Sequence, residues 1–400
     1  MTRPEVLIVG GARTPFRPIR DAGELREPLD ARVMAGFGGV AEYGITVRWD
    51  KNFLKLIRLL LERRNEFAMF GGVRFGGTLG IDDAFSLGFD HIALCAGAGR
   101  PTIVPMKNGL AAGVRQASDF LMALQLTGAA KTDSLANLQV RLPVVVIGGG
   151  LTAIDTATEA LACYPLQVEK FLTRYETLVR ERWEAAVRAD WTAQEVETAA
   201  EFIDHARKIR AERERAAREG RKPQLADLMR QWGGATIVYR RRLIDSPSYT
   251  LNHEEVAKAL EEGIGFAERL TPQEVLLDRF GCARALKLSA AAEGDAGTTR
   301  EVVLPARSIL VAAGTQPNTV LGREEPQHVS IDGKYFQAFD EDGRKVAPER
   351  ITKPAAAHVL MSLHADGRAI SFFGDLHPSF AGNVVKAMGS AKLGWPVVSW

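Results

Sequence analysis

The sequence contains little cysteine. Its 400 residues include only Cys95, Cys163 and Cys282, and no two of them are spaced as in a CxxC motif. This spacing excludes a thiol–disulfide pair local in sequence, a cysteine-rich iron–sulfur loop and a sequence-local zinc knuckle. The sequence therefore predicts no metal site, and we interpret the three cysteines as small buried hydrophobic residues.

Long apolar runs and a strong charge imbalance are also missing. No uninterrupted apolar stretch reaches the roughly 18 residues of a membrane-spanning helix, and the N-terminus lacks a basic region followed by an apolar one. We therefore expect no membrane partner and a cytoplasmic location. The formal net charge is +2, without a basic arm or a groove of aromatic and basic residues, which argues against nucleic acid as a partner. The composition, 46% hydrophobic and 25% charged, is typical of two or three globular domains.

The strongest motif lies in the middle of the chain. Val144–Ile147 are all β-branched and predict a strand buried on both faces of a parallel sheet, and an alanine-rich, helix-forming stretch follows after three glycines. The spacing fits the dinucleotide-binding fingerprint, in which one glycine makes the tight turn, the next lets the backbone approach a pyrophosphate, and the helix N-terminus offers its amides. A glycine turn without a ligand is the alternative. The predicted binding residues are Gly148, Gly149, Gly150, Leu151, Thr152 and Ala153.

The end of the next predicted strand indicates which nucleotide binds. The apolar run in GGATIVYRRRLIDSP ends in three adjacent arginines, of which Arg240 and Arg241 are the predicted contacts. Guanidinium groups bind phosphate in a bidentate manner, whereas the acidic residue typical of NAD sites would repel it. The sequence therefore favours NADP(H) over NAD(H), and a solvated basic turn is the alternative.

A long charged segment separates the glycine motif from that strand. Two stretches in it have apolar residues at helical spacing: Phe171, Tyr175, Leu178 and Val179 in the first, and Val196, Phe202, Ile203 and Ala206 in the second. The second stretch opens with Thr192 and Glu195 in a capping-box arrangement and stops near Gly220. We interpret residues of about 165–230 as an inserted helical hairpin.

These motifs resemble a known family. VVVIGGGLTAID followed by TIVYRRR is similar to the NADPH-binding domain of the glutamate synthase small-subunit type of oxidoreductase, within the flavoprotein superfamily that has two dinucleotide-binding domains. Other stretches resemble family motifs in the same order: GFGGVAEYGITVRWDKNF beside the flavin, GFDHIALCAGAG and ILVAAGTQPNT as the crossover strands, and ISFFGDLHPSFAGNVVKAMGSAK as the terminal GD motif. Together they cover most of the chain from about Gly36 onward.

The resemblance implies FAD and NADP(H) as cofactors. Hydride transfer between them needs stacking and distance but no protein acid or base, so no catalytic residue is predicted. Gly374 and Asp375 would hold the ribityl and phosphate region of the flavin, and the helix that starts near Val384 would aim its amides at the isoalloxazine. The further residues that the resemblance assigns to cofactor binding are Gly38, Gly39, Gly314, Gly374, Asp375, Asn383 and Val384.

The first 35 residues depart from the family pattern. The apolar VLIVG is followed by Gly11 and Ala12, but the third glycine is absent and Pro15 and Pro18 stand where the first helix should run. We therefore expect the flavin loop to be missing or altered. IVGGARTPF also resembles the opening strand of thiolases, although neither the nucleophilic-cysteine loop nor the C-terminal cysteine motif of that family is found.

The predicted fold class is α/β, with two Rossmann-like dinucleotide-binding domains and the NADP domain inserted in a discontinuous FAD domain. The FAD-binding-like domain is expected over 1–125, with the altered loop, and over the return segment 317–400. The NAD(P)-binding domain is expected over 135–316. The apolar ending LGWPVVSW, just after the GD-motif helix, leads us to expect that the chain is the central part of a longer protein.

Two functions remain open. The first is an NADPH-dependent flavin oxidoreductase that passes electrons through FAD to a partner subunit or a further domain, such as an iron–sulfur module. The second is a partial or non-catalytic NADP-binding module that holds no flavin. A disulfide reductase is disfavoured because the reactive cysteine pair near the flavin is absent. The sequence gives no indication of the oligomeric state.

Overall fold

The computed structural model describes residues 6–9, 53–291, 299–351 and 353–399. Its strands, in chain order, are β1 (Val6–Val9), β2 (His91–Leu94), β3 (Arg100–Pro101), β4 (Val114–Gln116), β5 (Val144–Ile147), β6 (Ala235–Tyr239), β7 (Gly265–Glu268), β8 (Leu270–Leu277), β9 (Ala283–Ala291), β10 (Thr299–Pro305), β11 (Ser308–Val311), β12 (Thr315–Gln316), β13 (Ile331–Asp332), β14 (Tyr335–Phe336), β15 (Ala338–Phe339), β16 (Lys345–Val346), β17 (Leu360–Leu363) and β18 (Ala369–Phe372). Its α-helices are α1 (Phe53–Glu62), α2 (Ile81–Ser86), α3 (Ala117–Leu126), α4 (Leu151–Arg182), α5 (Glu184–Arg188), α6 (Ala193–Arg218), α7 (Leu225–Gln231), α8 (Pro247–Glu261), α9 (Leu321–Glu324) and α10 (Val384–Val398).

The central sheet is fully parallel, in the order β4-β11-β5-β6-β7. All four residues of β5 are buried, as the run of β-branched side chains predicts. The chain moves from β5 outward through β6 to β7 and later returns to β11 on the other side of β5. The strand order therefore reverses between β5 and β11, and at such a point open α/β sheets form a ligand crevice at the carboxyl ends of the strands.

The two faces of the central sheet are covered by different layers. Val144 and Val146 belong to a core shared with α3, α4 and α6. Val145 and Ile147 belong to a second core, shared with the antiparallel sheet β8-β9-β10. Alternate side chains of one strand point to opposite faces, so an unbroken apolar run is required where both faces are covered.

A second sheet joins the two ends of the described chain, in the order β1-β2-β18-β17-β15-β16. Its first three strands are parallel and the others pair antiparallel. The two sheets are connected by the short strands β3 and β12, which pair antiparallel. The architecture is the predicted α/β class with two Rossmann-like units. The boundaries predicted at 125, 135 and 316 stay predictions, because sheet membership does not locate a boundary.

The helical hairpin consists mainly of α4 and α6. Thr192 caps α6 as predicted: the main-chain N–H of Thr192 donates to the Glu195 carboxylate at 2.7 Å, and the N–H of Glu195 donates to the Thr192 hydroxyl at 3.3 Å. The first arm begins earlier than the predicted position of about 165, because α4 runs unbroken from Leu151 to Arg182. The reason is one buried stripe that continues at helical spacing through Ala153, Ala157, Tyr164, Leu172 and Tyr175.

Two residues of the predicted apolar faces of the hairpin are exposed. Phe202, Ile203 and Ala206 are buried, but Leu178 is 41% exposed and Val196 is 40% exposed. The prediction that all three cysteines are buried is also wrong, since only Cys163 is buried. Cys95 is exposed just beyond the end of β2, and Cys282 lies in the turn between β8 and β9, where its sulfur accepts a hydrogen bond from Gln194 of α6.

Glu201 anchors the hairpin to the amino end of the central sheet. Its Oε2 accepts a hydrogen bond from Arg141 at 2.6 Å and also pairs with Arg307. Arg141 precedes β5 and Arg307 precedes β11, so one carboxylate from the hairpin contacts the entry to two neighbouring strands. Burial raises the pKa of Glu201, and Arg141 opposes that change. Within the ranges that the structure describes, no helix is both long and apolar enough to cross a bilayer.

Replacing Phe202 with alanine is expected to lower the free energy of unfolding by about 3–5 kcal/mol. The side chain is 2% exposed and its ring lies 5.7 Å from Phe171 and 6.3 Å from Tyr164 between the two long helices. Val196→Ala on the same helix is the control and should change stability by less than about 0.5 kcal/mol. Urea denaturation followed by circular dichroism measures both. A Phe202→Ala loss no larger than that of the control would contradict this packing.

Candidate functional site

The glycine loop lies at the carboxyl end of β5, where the strand order reverses. The N–H of Gly148 donates to the carbonyl of Val238 at 3.0 Å. A Cβ at Gly148 would stand 2.3 Å from the carbonyl oxygen of Ala312, the residue that follows β11. Any side chain there would collide with main-chain atoms, so the close approach of the loop to the end of β11 requires glycine.

Gly150 faces open space at the start of α4. A Cβ at this residue would meet no atom within 4 Å, and no side chain caps the helix. The first N–H groups of a helix have no acceptor within it, so Leu151 and Thr152 offer their amides at this end. Ala153 is fully buried and lets the helix pack closely on the sheet. The loop thus has the room, the donors and the dipole that favour an anion.

Three residues without a predicted role lie at the middle of the loop. Ser248 of α8 donates to the carbonyl of Gly149 with its main-chain N–H at 3.1 Å and with its hydroxyl at 3.0 Å. The hydroxyl of Ser246 lies 3.0 Å from that of Ser248. The ring of Tyr239 covers Gly149 so closely that a Cβ there would stand 2.4 Å from it. The only sequence signal for these contacts is the SPS start of α8.

Three arginines follow β6 at the same end of the sheet, and all three are exposed. Arg242 makes a bidentate pair with Asp245, through Nε–Oδ2 at 2.8 Å and Nη2–Oδ1 at 2.9 Å. This contact lowers the pKa of the Asp245 carboxyl. Neither Arg240 nor Arg241 forms an ion pair within 4 Å of its charged atoms with any residue that the structure describes. Two of the three guanidinium groups therefore remain available to an anion.

Gly314 completes this group of predicted residues. It lies beyond β11 at φ +93°, where a Cβ would meet no atom within 4 Å, and its carbonyl accepts a hydrogen bond from the N–H of Thr102 at 2.9 Å. The carboxyl ends of β5, β6 and β11 thus bring together the loop 148–153, Arg240, Arg241 and Gly314. Their assignment to a nucleotide stays a prediction.

The second predicted group lies at the carboxyl end of β18 in the other sheet. The N–H of Phe373 donates to the carbonyl of Leu94 at 2.9 Å, so this end lies beside the end of β2. Gly374 adopts φ +64°, and its N–H donates to the hydroxyl of Ser390 in α10 at 2.9 Å. One oxygen of Asp375 accepts from the N–H of Gly382 at 2.7 Å. The GD turn is therefore bonded directly to α10 and to the segment that leads into it.

Asn383 is the N-cap of α10, which begins at Val384, where the sequence predicts the helix start. The side-chain oxygen of Asn383 accepts from the N–H of Lys386 at 2.9 Å. That oxygen is used within the chain, and the amides of Val384 and Val385 remain at the helix end. Gly38, Gly39 and the altered loop predicted after β1 lie outside the described residues.

Two buried histidines, His91 and His377, make contacts within the chain. No group of three or more His, Cys, Asp or Glu among the described residues is arranged to hold a metal ion. Burial lowers the pKa of His91 and of His377 to about 4, so both are neutral near pH 7. Nε2 of His91 lies 2.7 Å from the hydroxyl of Ser371, and Nε2 of His377 donates to the carbonyl of His358 at 3.0 Å. These contacts are structural.

The sequence is similar to one curated protein over most of its length. No family model matches the sequence. The chain is 37% identical over 383 residues to an uncharacterized protein of Rickettsia prowazekii; the match covers 96% of this chain and 48% of the relative, so this chain spans about half the length of the curated protein it matches.

Similar solved structures include FprA, an oxidoreductase of Mycobacterium tuberculosis, at 13% identity over 98% of this chain and 86% of that chain, with a TM-score of 0.44. A 2-naphthoyl-CoA reductase in complex with 2-naphthoyl-CoA is similar at 12% identity over 100% of this chain and 40% of that chain, with a TM-score of 0.46. Both TM-scores lie below 0.5, so the fold assignment rests on the strand order of this chain itself.

Replacing Gly149 with alanine is expected to cost about 1–3 kcal/mol of stability, because the new methyl group would collide with the Tyr239 ring. In a Tyr239→Ala background the same change should cost less, which a double-mutant cycle measured by denaturant unfolding will detect. Gly150→Ala is the matched control, since its methyl group would enter open space. Equal losses for the two glycines, or strict additivity with Tyr239→Ala, would refute the contact.

Proposed function

We propose that this chain is the NADPH- and FAD-binding part of a flavin oxidoreductase of the glutamate synthase small-subunit type. The single observation that carries the proposal is the pair Arg240 and Arg241, which form no ion pair with any described residue, beside an open glycine loop at the reversal of strand order. A dinucleotide with an additional phosphate matches both features at once, since its pyrophosphate suits the loop and its 2′-phosphate suits the arginines.

The residues of the glycine loop and of the strand end support NADPH as the ligand. Gly150 would give the pyrophosphate access to the main chain, and the amides of Leu151 and Thr152 would donate to its oxygens. Arg240 and Arg241 would hold the 2′-phosphate, because guanidinium groups form strong charge-assisted hydrogen bonds to phosphate. Arg242 would contribute less, since Asp245 already occupies two of its donors.

The flavin side of the proposal rests on the GD turn. Oδ1 of Asp375 is bonded to Gly382, which fixes the carboxylate so that its other oxygen can accept from a ribityl hydroxyl. The N-terminus of α10 would stabilise negative charge on a reduced ring, because a helix N-terminus carries a partial positive charge. FAD, when bound, supplies the acceptor for the hydride of NADPH. The protein's own task is to bind both cofactors and orient them.

The proposal includes a partner for the electrons. We place the acceptor on a further domain or subunit, such as an iron–sulfur module, and the reaction in the cytoplasm. The similarity to a protein about twice the length of the matched region agrees with a further domain.

Arg240→Ala and Arg241→Ala are each expected to raise the Kd for NADPH by roughly 10-fold or more, because each removes charge-assisted hydrogen bonds to phosphate. NADH lacks that phosphate, so its Kd should change by no more than about 2-fold. Arg242→Ala is the control and should have the smallest effect of the three. Isothermal titration calorimetry with NADPH and with NADH measures both Kd values. An equal loss of affinity for the two nucleotides would exclude the phosphate contact.

An absorption spectrum of the purified 400-residue chain tests whether the chain binds FAD and whether NADPH reduces it. With FAD added, we expect a bound visible band that bleaches on anaerobic addition of NADPH. The control is the same titration with the Arg240→Ala, Arg241→Ala double variant, which should need more NADPH for the same bleaching. If no FAD binds in excess while NADPH still binds, the chain is an NADP-binding module and the oxidoreductase proposal fails for this chain.

A further inference from the structure

The hairpin contains a cavity of about 230 Å³. It lies between α4, α5, α6 and the connection that joins α3 to β5. None of its lining residues belongs to the glycine loop, the arginine triplet or the GD turn. An apolar cavity of about 150 Å³ is large enough to bind benzene, so this one has room for a substituted ring or a short alkyl chain.

Aromatic rings form much of the wall. Phe171 and Tyr175 lie parallel, 6.4 Å apart between centroids, and Phe171 meets Phe202 edge to face at 5.7 Å. Tyr175 in turn lies 5.9 Å from Trp191. Because each ring packs against another, the wall resists collapse into the void. Atoms that line a void lose dispersion contacts, and a bound apolar group would restore them.

Two polar side chains of the lining, Gln167 and Lys170, make their hydrogen bonds to the main chain of the connection. Gln167 bonds both to the N–H and to the carbonyl of Val140, at 2.9 Å and 2.8 Å. The ammonium group of Lys170 donates to four carbonyls of this connection, the shortest contact being 2.6 Å to Ala129. These groups are satisfied without a ligand, so the surface that remains for an occupant is mainly apolar.

The charged residues that line the cavity indicate which charge a ligand would carry. Lys170 and Arg174 are its two cationic residues, and it contains no Asp or Glu. Nη2 of Arg174 donates to the carbonyls of Thr132 and Ser134, which leaves the other donors of that guanidinium for an acceptor. Arg188 already lies over the rings of Tyr175 and Trp191, at 5.3 Å and 5.7 Å, and its charge would repel a cationic ligand beside those rings. A cation is therefore disfavoured and an anion favoured.

We propose that this cavity binds a small amphiphilic carboxylate, such as a medium-chain fatty acid or an aryl-alkyl acid. The apolar part would lie between the aromatic rings and the carboxylate would accept hydrogen bonds from Arg174. The ligand would contact α4, α6 and the connection into β5, so its binding would stabilise the hairpin on the body of the protein.

Isothermal titration of the full chain with three molecules of equal chain length tests the proposal. Octanoate should bind saturably with one site, 1-octanol about 10-fold more weakly, and octylammonium more weakly still, because only the head group differs. NADPH should leave octanoate binding unchanged, since the two sites share no residue. Absence of saturable octanoate binding, competition with NADPH, or equal affinity for the three molecules would overturn the proposal.

Matched variants locate the site. Leu178 lines the cavity and is 41% exposed, so Leu178→Trp should block the mouth and weaken octanoate by about 10-fold or more. Val196→Trp introduces the same side chain at a residue that is 40% exposed outside the lining, and binding should persist. Arg174→Gln should remove the preference for octanoate over octanol without weakening octanol. Equal loss in both tryptophan variants, or an unchanged preference in Arg174→Gln, would refute the assignment.

Discussion

The close approach of two strand ends is the constraint on which the candidate site depends. The carbonyl oxygen of Ala312 occupies the space that a side chain at residue 148 would need, at 2.3 Å from the position of its Cβ. With glycine at that position, β5 and β11 can end side by side, and the crevice between them opens toward the start of α4. The free helix amides, the open face of Gly150 and the exposed Gly314 lie around this contact. A side chain at residue 148 would separate the strands and remove the cradle as a whole.

Selectivity at this crevice depends on which charges are already neutralised. Asp245 takes two donors of Arg242, and the carboxylate of Glu268 accepts the N–H of Leu243 at 2.6 Å. The two nearby acids are therefore bonded to groups other than Arg240 and Arg241. An acid paired with either of those arginines would compete with an additional phosphate for the guanidinium donors. Of the three adjacent arginines, Arg242 is therefore bonded to Asp245, and Arg240 and Arg241 remain available to an anion.

Features that depend on neighbouring residues could be predicted from the sequence, and those that depend on distant contacts could not. The buried strand Val144–Ile147 and the capping box at Thr192 are local patterns, and the structure has both. Ser248 reaches Gly149 across 99 residues, and the SPS start of α8 does not indicate which distant residue it contacts. The hairpin predicted over about 165–230 is continuous with the nucleotide helix, because α4 runs from Leu151 to Arg182 and its buried stripe continues as far as Tyr175. The residue type of Cys95 predicts burial, but the strand ends just before it and the side chain is exposed.

One helix serves both the crevice and the cavity. α4 has 32 residues, so it is about 48 Å long, with its N-terminus at the glycine loop and its second half at the aromatic wall. Continuity alone does not couple two sites, because coupling needs an element with two arrangements whose equilibrium both ligands shift. Here Ser248 bonds Gly149 beside the start of α4, while Glu201 ties the neighbouring helix α6 to the amino end of the sheet. Both contacts hold the helices on the sheet, and we expect a ligand in the cavity to stabilise the hairpin without changing affinity at the crevice.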